Sequence, residues 1–201
     1  STPTVTISTN DSDNAIKPGD NITVTANFNE AMASSPRMTI GSAVNNVVLT
    51  ATNSTTWTYA WNTSGVSAGS YTVTITGSDL AGNNYVGTES ITIKLDNTAP
   101  TVTLIDTDTD NFLSSSDTVT ITAVFNEAMT AIPAISISGT PINNAQLTQI
   151  SGTNSYTYTW DIDSGGAPSD GTYSVTVSGT DLAGNTYVAG NQAITFTIDS
   201  T

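Results

Sequence analysis

The chain has 201 residues and a formal net charge of −14 at pH 7, with 17 acidic side chains, three basic ones, no cysteine and no histidine. This composition excludes disulfides, thiolate or imidazole metal sites, and nucleophilic catalysis of the Ser-His-Asp or Cys-His kind. The three bases, Lys17, Arg37 and Lys94, all lie in the first half. Neither nucleic acid nor an anionic membrane surface is therefore expected as a partner.

Apolar and polar side chains alternate with a period of two through the first half of the chain, which is typical of strands. The clearest case is the segment 22–28, in which every second residue is apolar. In chain order, the pattern predicts seven strands, near residues 3–8, 21–29, 36–41, 46–52, 55–61, 70–77 and 85–95. Turns rich in Gly, Asn, Asp and Ser separate them, and no helical period lies between them.

Several segments of the first half recur in the second. The repeated pairs are residues 3–6 and 100–103 (PTVT), 28–32 and 125–129 (FNEAM), 79–83 and 181–185 (DLAGN), and Asp11, Asp13 and Asn14 with Asp108, Asp110 and Asn111. A duplicated domain explains this pattern. The sequence therefore predicts two domains, residues 1–97 and 98–201, joined by a short linker that makes a semi-rigid rod.

Seven short strands in each half, at this spacing, predict an all-β fold of two tandem immunoglobulin-like antiparallel β-sandwiches. The FNEAM and DLAGN segments and the junction 96–100 (DNTAP) resemble those of bacterial Ig-like repeats in large cell-surface adhesins. Biofilm-associated proteins and gliding-motility adhesins of the Bacteroidota contain such repeats, and the resemblance covers essentially the whole chain. It implies a secreted protein at the bacterial surface, a role in cell adhesion, and neighbouring repeats of the same chain as partners.

Acidic side chains without basic partners favour a divalent cation, and Asp and Glu oxygens suit calcium. In immunoglobulin strand order, the loop after the first strand lies at the C-terminal end of a unit. The loops after the second and sixth strands lie at the N-terminal end. We therefore predict a calcium ion at the junction of the repeats. The predicted ligands are Asp11, Asp13, Asp96, Glu127 and Asp181, with Glu30, Asp79, Asp108 and Asp110 as candidates at the equivalent ends.

Each acidic segment also has a purely structural interpretation. The DLAGN segment is typical of a tight hairpin, in which Asp79 accepts hydrogen bonds from its own turn amides and Gly82 takes a positive φ. Glu30 then accepts hydrogen bonds from that neighbouring hairpin, and residues 11–14 form a solvated turn. A carboxylate pair for glycoside hydrolysis stays formally open. A duplicated active site on a thin sandwich is unusual, however, so we predict that the chain is not an enzyme.

Aromatic side chains recur at matching positions in the two halves. They are Trp57, Tyr59, Trp61 and Tyr71 in the first, and Tyr156, Tyr158, Trp160 and Tyr173 in the second. Their spacing on one strand face favours the core. The competing interpretation is an exposed row of rings that stacks on sugars.

These features lead to one main hypothesis and two alternatives. The main hypothesis is a stalk or adhesion module, possessing no catalytic activity, that holds a distal binding tip away from a bacterial surface. The alternatives are a carbohydrate-binding module and an accessory spacer of a secreted enzyme. We expect a monomeric fragment of a longer chain, with surface glycans or other cells as adhesion targets and no direct insertion into a membrane.

Overall fold

The computed structural model describes residues 1–164, 168–188 and 192–200. The chain divides into two compact units, Ser1–Asn97 (unit 1) and Thr98–Thr201 (unit 2). The described residues form strands, turns and loops, and they contain no helix that could cross a membrane.

Unit 1 is built from two β-sheets. Its strands are β1 (Val5–Thr9), β2 (Ala15–Ile16), β3 (Asn21–Phe28), β4 (Arg37–Ile40), β5 (Val44–Val48), β6 (Thr50–Ala51), β7 (Thr56–Asn62), β8 (Gly69–Thr76) and β9 (Ile91–Leu95). The strand orders are β1-β3-β7-β6 in one sheet and β2-β9-β8-β4-β5 in the other. The pairs are antiparallel except for β2 with β9, which run parallel with Ala15 opposite Lys94 and Ile16 opposite Leu95.

Unit 2 repeats this topology. Its strands in the described residues are β10 (Val102–Asp106), β11 (Phe112–Leu113), β12 (Thr118–Phe125), β13 (Ala134–Ile137), β14 (Ala145–Gln146), β15 (Thr148–Gln149), β16 (Ser155–Asp161), β17 (Gly171–Ser178) and β18 (Ile194–Ile198). The strand orders are β10-β12-β16-β15 and β11-β18-β17-β13-β14, with β11 and β18 parallel. The prediction of two all-β immunoglobulin-like sandwiches is confirmed, and each sandwich adds one parallel pair to its antiparallel sheets.

The core of each unit follows the period-two pattern of the sequence. Along β3, Ile22, Val24, Ala26 and Phe28 are all buried, while the threonines between them point away from the core. The equivalent strand β12 has the same alternation of burial, residue by residue. Successive side chains of a strand point to opposite faces, so this alternation places every second residue of the strand between the two sheets.

Three strand predictions require correction. The strands β2 and β11 were not predicted, because two residues are too short to show a period. The segment 46–52, predicted as one strand, changes sheets at the buried Leu49, since β5 pairs with β4 and β6 pairs with β7. The predicted strand 85–95 begins only at Ile91.

Candidate functional site

The DLAGN hairpin of unit 1 is organised around a buried carboxylate. Asp79 is 1% exposed, and its Oδ1 accepts hydrogen bonds from the amides of Ala81 (2.9 Å) and Asn83 (2.8 Å). Its Oδ2 accepts a third bond from Asn83 Nδ2 at 2.7 Å. The Asn83 side chain lowers the pKa of Asp79, because these bonds favour the charged form. With Gly82 at a φ of 85°, the structural interpretation of this segment is confirmed.

The second DLAGN hairpin has the same arrangement. Asp181 is 1% exposed and accepts hydrogen bonds from Asn185, from the backbone amide at 2.7 Å and from Nδ2 at 2.9 Å. Gly184 takes a φ of 88°. Both hairpins also form a single β-bridge to the FNEAM segment of their own unit, Met32 with Asp79 and Met129 with Asp181. The aspartate therefore fixes its hairpin whether or not it binds anything else.

The two glutamates of the FNEAM segments, Glu30 and Glu127, belong to the segments that form β-bridges to these hairpins. Their carboxylates have different neighbours. Glu30 accepts a hydrogen bond from Ser1 Oγ at 3.2 Å, so the donor found is the start of the chain rather than the predicted hairpin. In unit 2, a carboxylate oxygen of Glu127 lies within 4.8 Å of one of Asp181. Two carboxylates at this distance repel each other unless a cation or a proton lies near them. Calcium takes six to eight oxygens, so this pair supplies only part of such a site.

The acidic turn after the first strand of unit 1 lies between β1 and the short strand β2. Asn10 pairs with Thr23, and the Lys94 amide donates to Asn14 O at 2.7 Å, so the turn crosses from one sheet to the other beside the strands. The chain then continues in β2, and the loop at the C-terminal end of the unit is residues 17–20. Asp11 and Asp13 therefore come before β2, a strand that the sequence analysis did not anticipate, and their role as calcium ligands stays a prediction.

The carboxylates of this turn accept hydrogen bonds from its own backbone. Asp11 Oδ1 accepts from the amides of Asp13 (3.3 Å) and Ala15 (3.2 Å), and Asp13 Oδ1 accepts from Ala15 at 3.0 Å. Burial and the neighbouring Asp11 raise the pKa of Asp13, although the Ala15 amide opposes this. Asn14 takes a φ of 59°, a conformation that Asn tolerates better than most residues.

The matching turn of unit 2 is built in the same way. Asp108 Oδ2 accepts from the amides of Asp110 and Asn111, and Asp110 Oδ1 accepts from Phe112 at 3.0 Å. Asn111 has a φ of 62°. The repeated acids of this segment therefore have a structural role in both units, as turns that carry the chain between sheets.

Asp96 forms an ion pair that the sequence analysis did not anticipate. Its Oδ2 lies 2.8 Å from Lys94 Nζ, and its amide donates to Ile16 O at 2.9 Å. The signal was present, since residues two apart on a strand share a face. One of the few basic side chains thus stabilises one of the predicted calcium ligands.

The aromatic residues confirm the core interpretation. Trp57, Trp61, Tyr156, Trp160 and Tyr173 are buried, and the remaining ones are partly buried and pack against the cores. Edge-to-face pairs join Trp61 to Tyr71 (5.5 Å between centroids) and Trp160 to Tyr173 (6.1 Å). These rings are therefore not available as an exposed row for stacking on sugars.

Models of known protein families match this sequence. The family model for bacterial Ig-like domains of group 3 matches residues 55–197, more than half of the chain. The chain belongs to this family. A second model, for a bacterial Ig domain, matches residues 3–75 of the same bacterial Ig-like chain. Bacterial Ig-like domains typically occur in extracellular or surface proteins, and immunoglobulin-like families are typically non-catalytic.

Solved structures similar to this bacterial Ig-like chain include the fibronectin(III)-like modules of Clostridium thermocellum CbhA. The identity is 15%, over 98% of this chain and 94% of that one, with a TM-score of 0.48. The ligand-binding domain of human OSCAR is 12% identical over 97% of this chain and 95% of that one, also with a TM-score of 0.48. No curated protein matches the chain.

Proposed function

We propose that the chain is a pair of stalk repeats in a large secreted bacterial surface protein, where it holds an adhesive tip at a distance from the cell. Its work is mechanical rather than catalytic. Family membership supports an extracellular repeat. The observation that carries the mechanical part is the parallel pairing of the second strand of each unit with the last, β2 with β9 and β11 with β18.

The direction of the parallel strands determines how each unit bears tension. The chain enters β2 from its N-terminal end and leaves β9 from its C-terminal end, so a pull on both ends of unit 1 slides these strands in opposite directions. The hydrogen bonds from Lys94 N to Asn14 O (2.7 Å) and from Asp96 N to Ile16 O (2.9 Å) lie across this movement. They are loaded together, whereas a hairpin pulled open at one end breaks its bonds one at a time.

Unit 2 has the same device. The amide of Thr197 donates to Asn111 O at 2.8 Å, and that of Asp199 donates to Leu113 O at 3.1 Å. Because the pair is present in both units, each unit resists extension by itself. A stalk assembled from such repeats does not yield at one weak unit.

Single-molecule pulling along two directions tests this proposal. The chain has no cysteine, so Thr76→Cys with Ser90→Cys provides two unique handles at one end of the β8–β9 hairpin, whose nearest pair is Val73 and Ile91. We expect the unfolding force of unit 1 to be several-fold higher when it is pulled through the chain ends than through these handles. Equal forces in the two directions would contradict the mechanical role.

Unit 2 provides the internal control, because handles at residues 76 and 90 leave it outside the loaded path. When the double-cysteine variant is pulled through the chain ends, unit 2 should unfold at the same force as in the parent chain. Loss of that second event would mean that the cysteine substitutions, and not the pulling direction, weakened the chain.

Calcium binding, predicted from the sequence for the junction, is proposed as a stiffening element. Within one unit its support is the close approach of Glu127 and Asp181. A ligand of the folded state raises the melting temperature, so we expect calcium to raise it by several degrees relative to chelator. Glu127→Gln and Asp96→Asn should reduce that difference, and the exposed-site control Asp163→Asn should not. Identical melts with calcium and with chelator would exclude the ion.

The spacer and carbohydrate-binding alternatives lead to different observations. Many further copies of this repeat in the full-length protein favour the stalk, and a neighbouring catalytic domain favours the spacer. A Trp57→Ala variant would not test sugar binding, because Trp57 is a core residue. A test of that alternative needs an exposed polar site.

A further inference from the structure

A polar groove lies on unit 1, between the start of β4 and the DLAGN hairpin. It has a volume of about 560 Å³, within the usual range of ligand sites. Its lining includes Ser34, Ser35, Arg37, Ser78, Asn84 and Tyr85, and none of the described lining residues is acidic, although the Tyr85 hydroxyl donates to the neighbouring Glu89 carboxylate. In a chain with 17 acidic residues, a groove whose lining is neutral apart from one arginine favours an anionic ligand over a cationic one.

Arg37, the only arginine in the sequence, is exposed at this groove, and no carboxylate of the described residues pairs with it. It is the first residue of β4, between Thr76 of β8 and Val48 of β5. Its Nη1 donates to Asn46 O at 2.6 Å, which orients the guanidinium. Among the residues that the structure describes, Arg37 forms no ion pair. The rest of its planar donor set is available for a carboxylate.

The opposite side of the groove offers neutral donors and an apolar surface. Ser78 Oγ donates to Asn84 Oδ1 at 3.0 Å, and Asn84 Nδ2 donates to no residue in the described part of the chain. The half-buried Tyr85 and the 74% exposed Val86 complete the lining. Hydroxyl and amide groups beside an apolar surface suit a sugar ring, which presents hydroxyls at its edge and C–H groups on its faces.

Unit 2 has the same groove without the arginine. Its lining includes Ala134 where unit 1 has Arg37, and Thr186 where unit 1 has Asn84. The backbone below it is retained, since Asn46 and Asn144 have φ values of 52° and 55°. The arginine is therefore not required to build this part of the sandwich.

We infer that the unit 1 groove binds an acidic saccharide, with Arg37 holding the carboxylate of a uronic acid residue. The hydroxyls of Ser34, Ser35 and Ser78 and the Asn84 amide then bind sugar hydroxyls, and Tyr85 contacts a sugar face. This site adds a glycan class to the adhesion role, but it does not depend on the stalk mechanism. The pulling experiment and the binding experiment can fail separately.

An NMR titration of the whole chain tests the inference, with the backbone amides of Ser34, Ser78 and Asn84 as reporters. The probes are tetragalacturonic acid, its methyl ester, and a tetraglutamate peptide. We expect the acid to shift these amides, and the methyl ester, in which each carboxylate is a neutral ester, to bind at least about tenfold more weakly. Amides of the unit 2 groove should not move.

Variants of Arg37 then identify the group that holds the carboxylate. Arg37→Ala introduces the residue that unit 2 has at this position and should weaken binding of the acid at least about tenfold. Arg37→Lys should also weaken it, because an ammonium cannot bind a carboxylate in a two-point fork. The matched control Lys17→Ala removes the same charge away from the groove and should leave binding unchanged.

Three results would overturn the inference. The first is no shift of the reporter amides with tetragalacturonic acid. The second is equal loss of binding in Lys17→Ala and Arg37→Ala, which would mean that net charge alone attracts the ligand. The third is tighter binding of tetraglutamate than of the saccharide, which would assign the groove to acidic peptides.

Discussion

The two units fill the same core position in different ways. In unit 1, Trp57 lies opposite Ala51, and its buried Nε1 has no hydrogen-bond partner among the described residues. In unit 2, the smaller Tyr156 lies opposite Gln149, whose Nε2 is 3.5 Å from the tyrosine hydroxyl. A large ring beside a small side chain has thus been exchanged for a smaller ring beside a longer one.

This exchange shows that the backbone register is more constrained than the side chains that fill it. The pairing of β7 with β3 and of β16 with β12 is the same, with Ala26 opposite Trp57 and Ala123 opposite Tyr156. One unit fills the space by size alone, and the other adds a polar contact. Burial raises the pKa of Tyr156, since the protein interior disfavours a phenolate.

The largest effect is expected from moving the unit 2 ring into unit 1. Trp57→Tyr leaves a space beside Ala51 and a buried hydroxyl without a partner, which should lower the free energy of unfolding by about 2 kcal/mol. Adding Ala51→Gln supplies the amide that unit 2 uses and should restore about 1 kcal/mol.

Urea unfolding of the two single variants and the double variant measures this coupling, and native-state hydrogen exchange assigns the loss to unit 1. The reciprocal change, Tyr156→Trp with Gln149→Ala, is the matched control in unit 2. Strictly additive effects would show that the two positions were exchanged independently.

A smaller difference in stability between the units is expected from alanine substitutions at Gly77 and Gly179, the glycines that line the two grooves. A Cβ at Gly77 would lie 2.9 Å from Met32 Cε, and one at Gly179 would lie 2.6 Å from Met129 Cε. Because a methionine tip can move, Gly179→Ala should cost only about 1 kcal/mol, and Gly77→Ala should cost less. Thermal melts of the two variants compare the units. Shortening Met129 to Ala in the Gly179→Ala variant should remove the penalty of the added methyl group, and no recovery would contradict this assignment.

The smallest effect is expected in acid, at the unit 1 hairpin. The folded pKa of Asp79 is lowered below its ordinary value of 3.8, so its contribution to stability is present above that pH and is lost as the pH falls through the folded pKa. Asp79→Asn should therefore be less stable than the parent at neutral pH, with the difference shrinking below 3.8.

Urea unfolding at a series of pH values measures this difference, and hydrogen exchange at the Asn83 amide locates it. Asp163→Asn, at an exposed carboxylate, is the control and should not show the same trend. A difference that stays constant over the whole series would mean that the carboxylate charge has no part in holding the hairpin.

The sequence predicted most of the fold because its period-two pattern is repeated. The alternation from Ile22 to Phe28 identified the core face of β3. The DLAGN spacing identified the hairpin in which Asp79 accepts hydrogen bonds from the amides of its own turn. The strand β2 escaped prediction, because Ala15 and Ile16 carry no period and are recognised as a strand only by pairing with β9. That omission also left out the hydrogen bonds within the turn before β2, in which Asp11 and Asp13 accept from backbone amides.

The sequence by itself determined that the chain contains two similar β-sandwiches, since hydrophobic periodicity and turn residues are local properties that survive duplication. Only the tertiary structure decided that β2 pairs in parallel with β9, and β11 with β18, because that pairing joins residues about eighty positions apart. It also decided that Arg37, unremarkable in the sequence, lies at a hydroxyl-lined groove, where no acidic side chain in the described part of the chain pairs with it. The surroundings of a side chain depend on strands that are distant in sequence, and no local pattern specifies them.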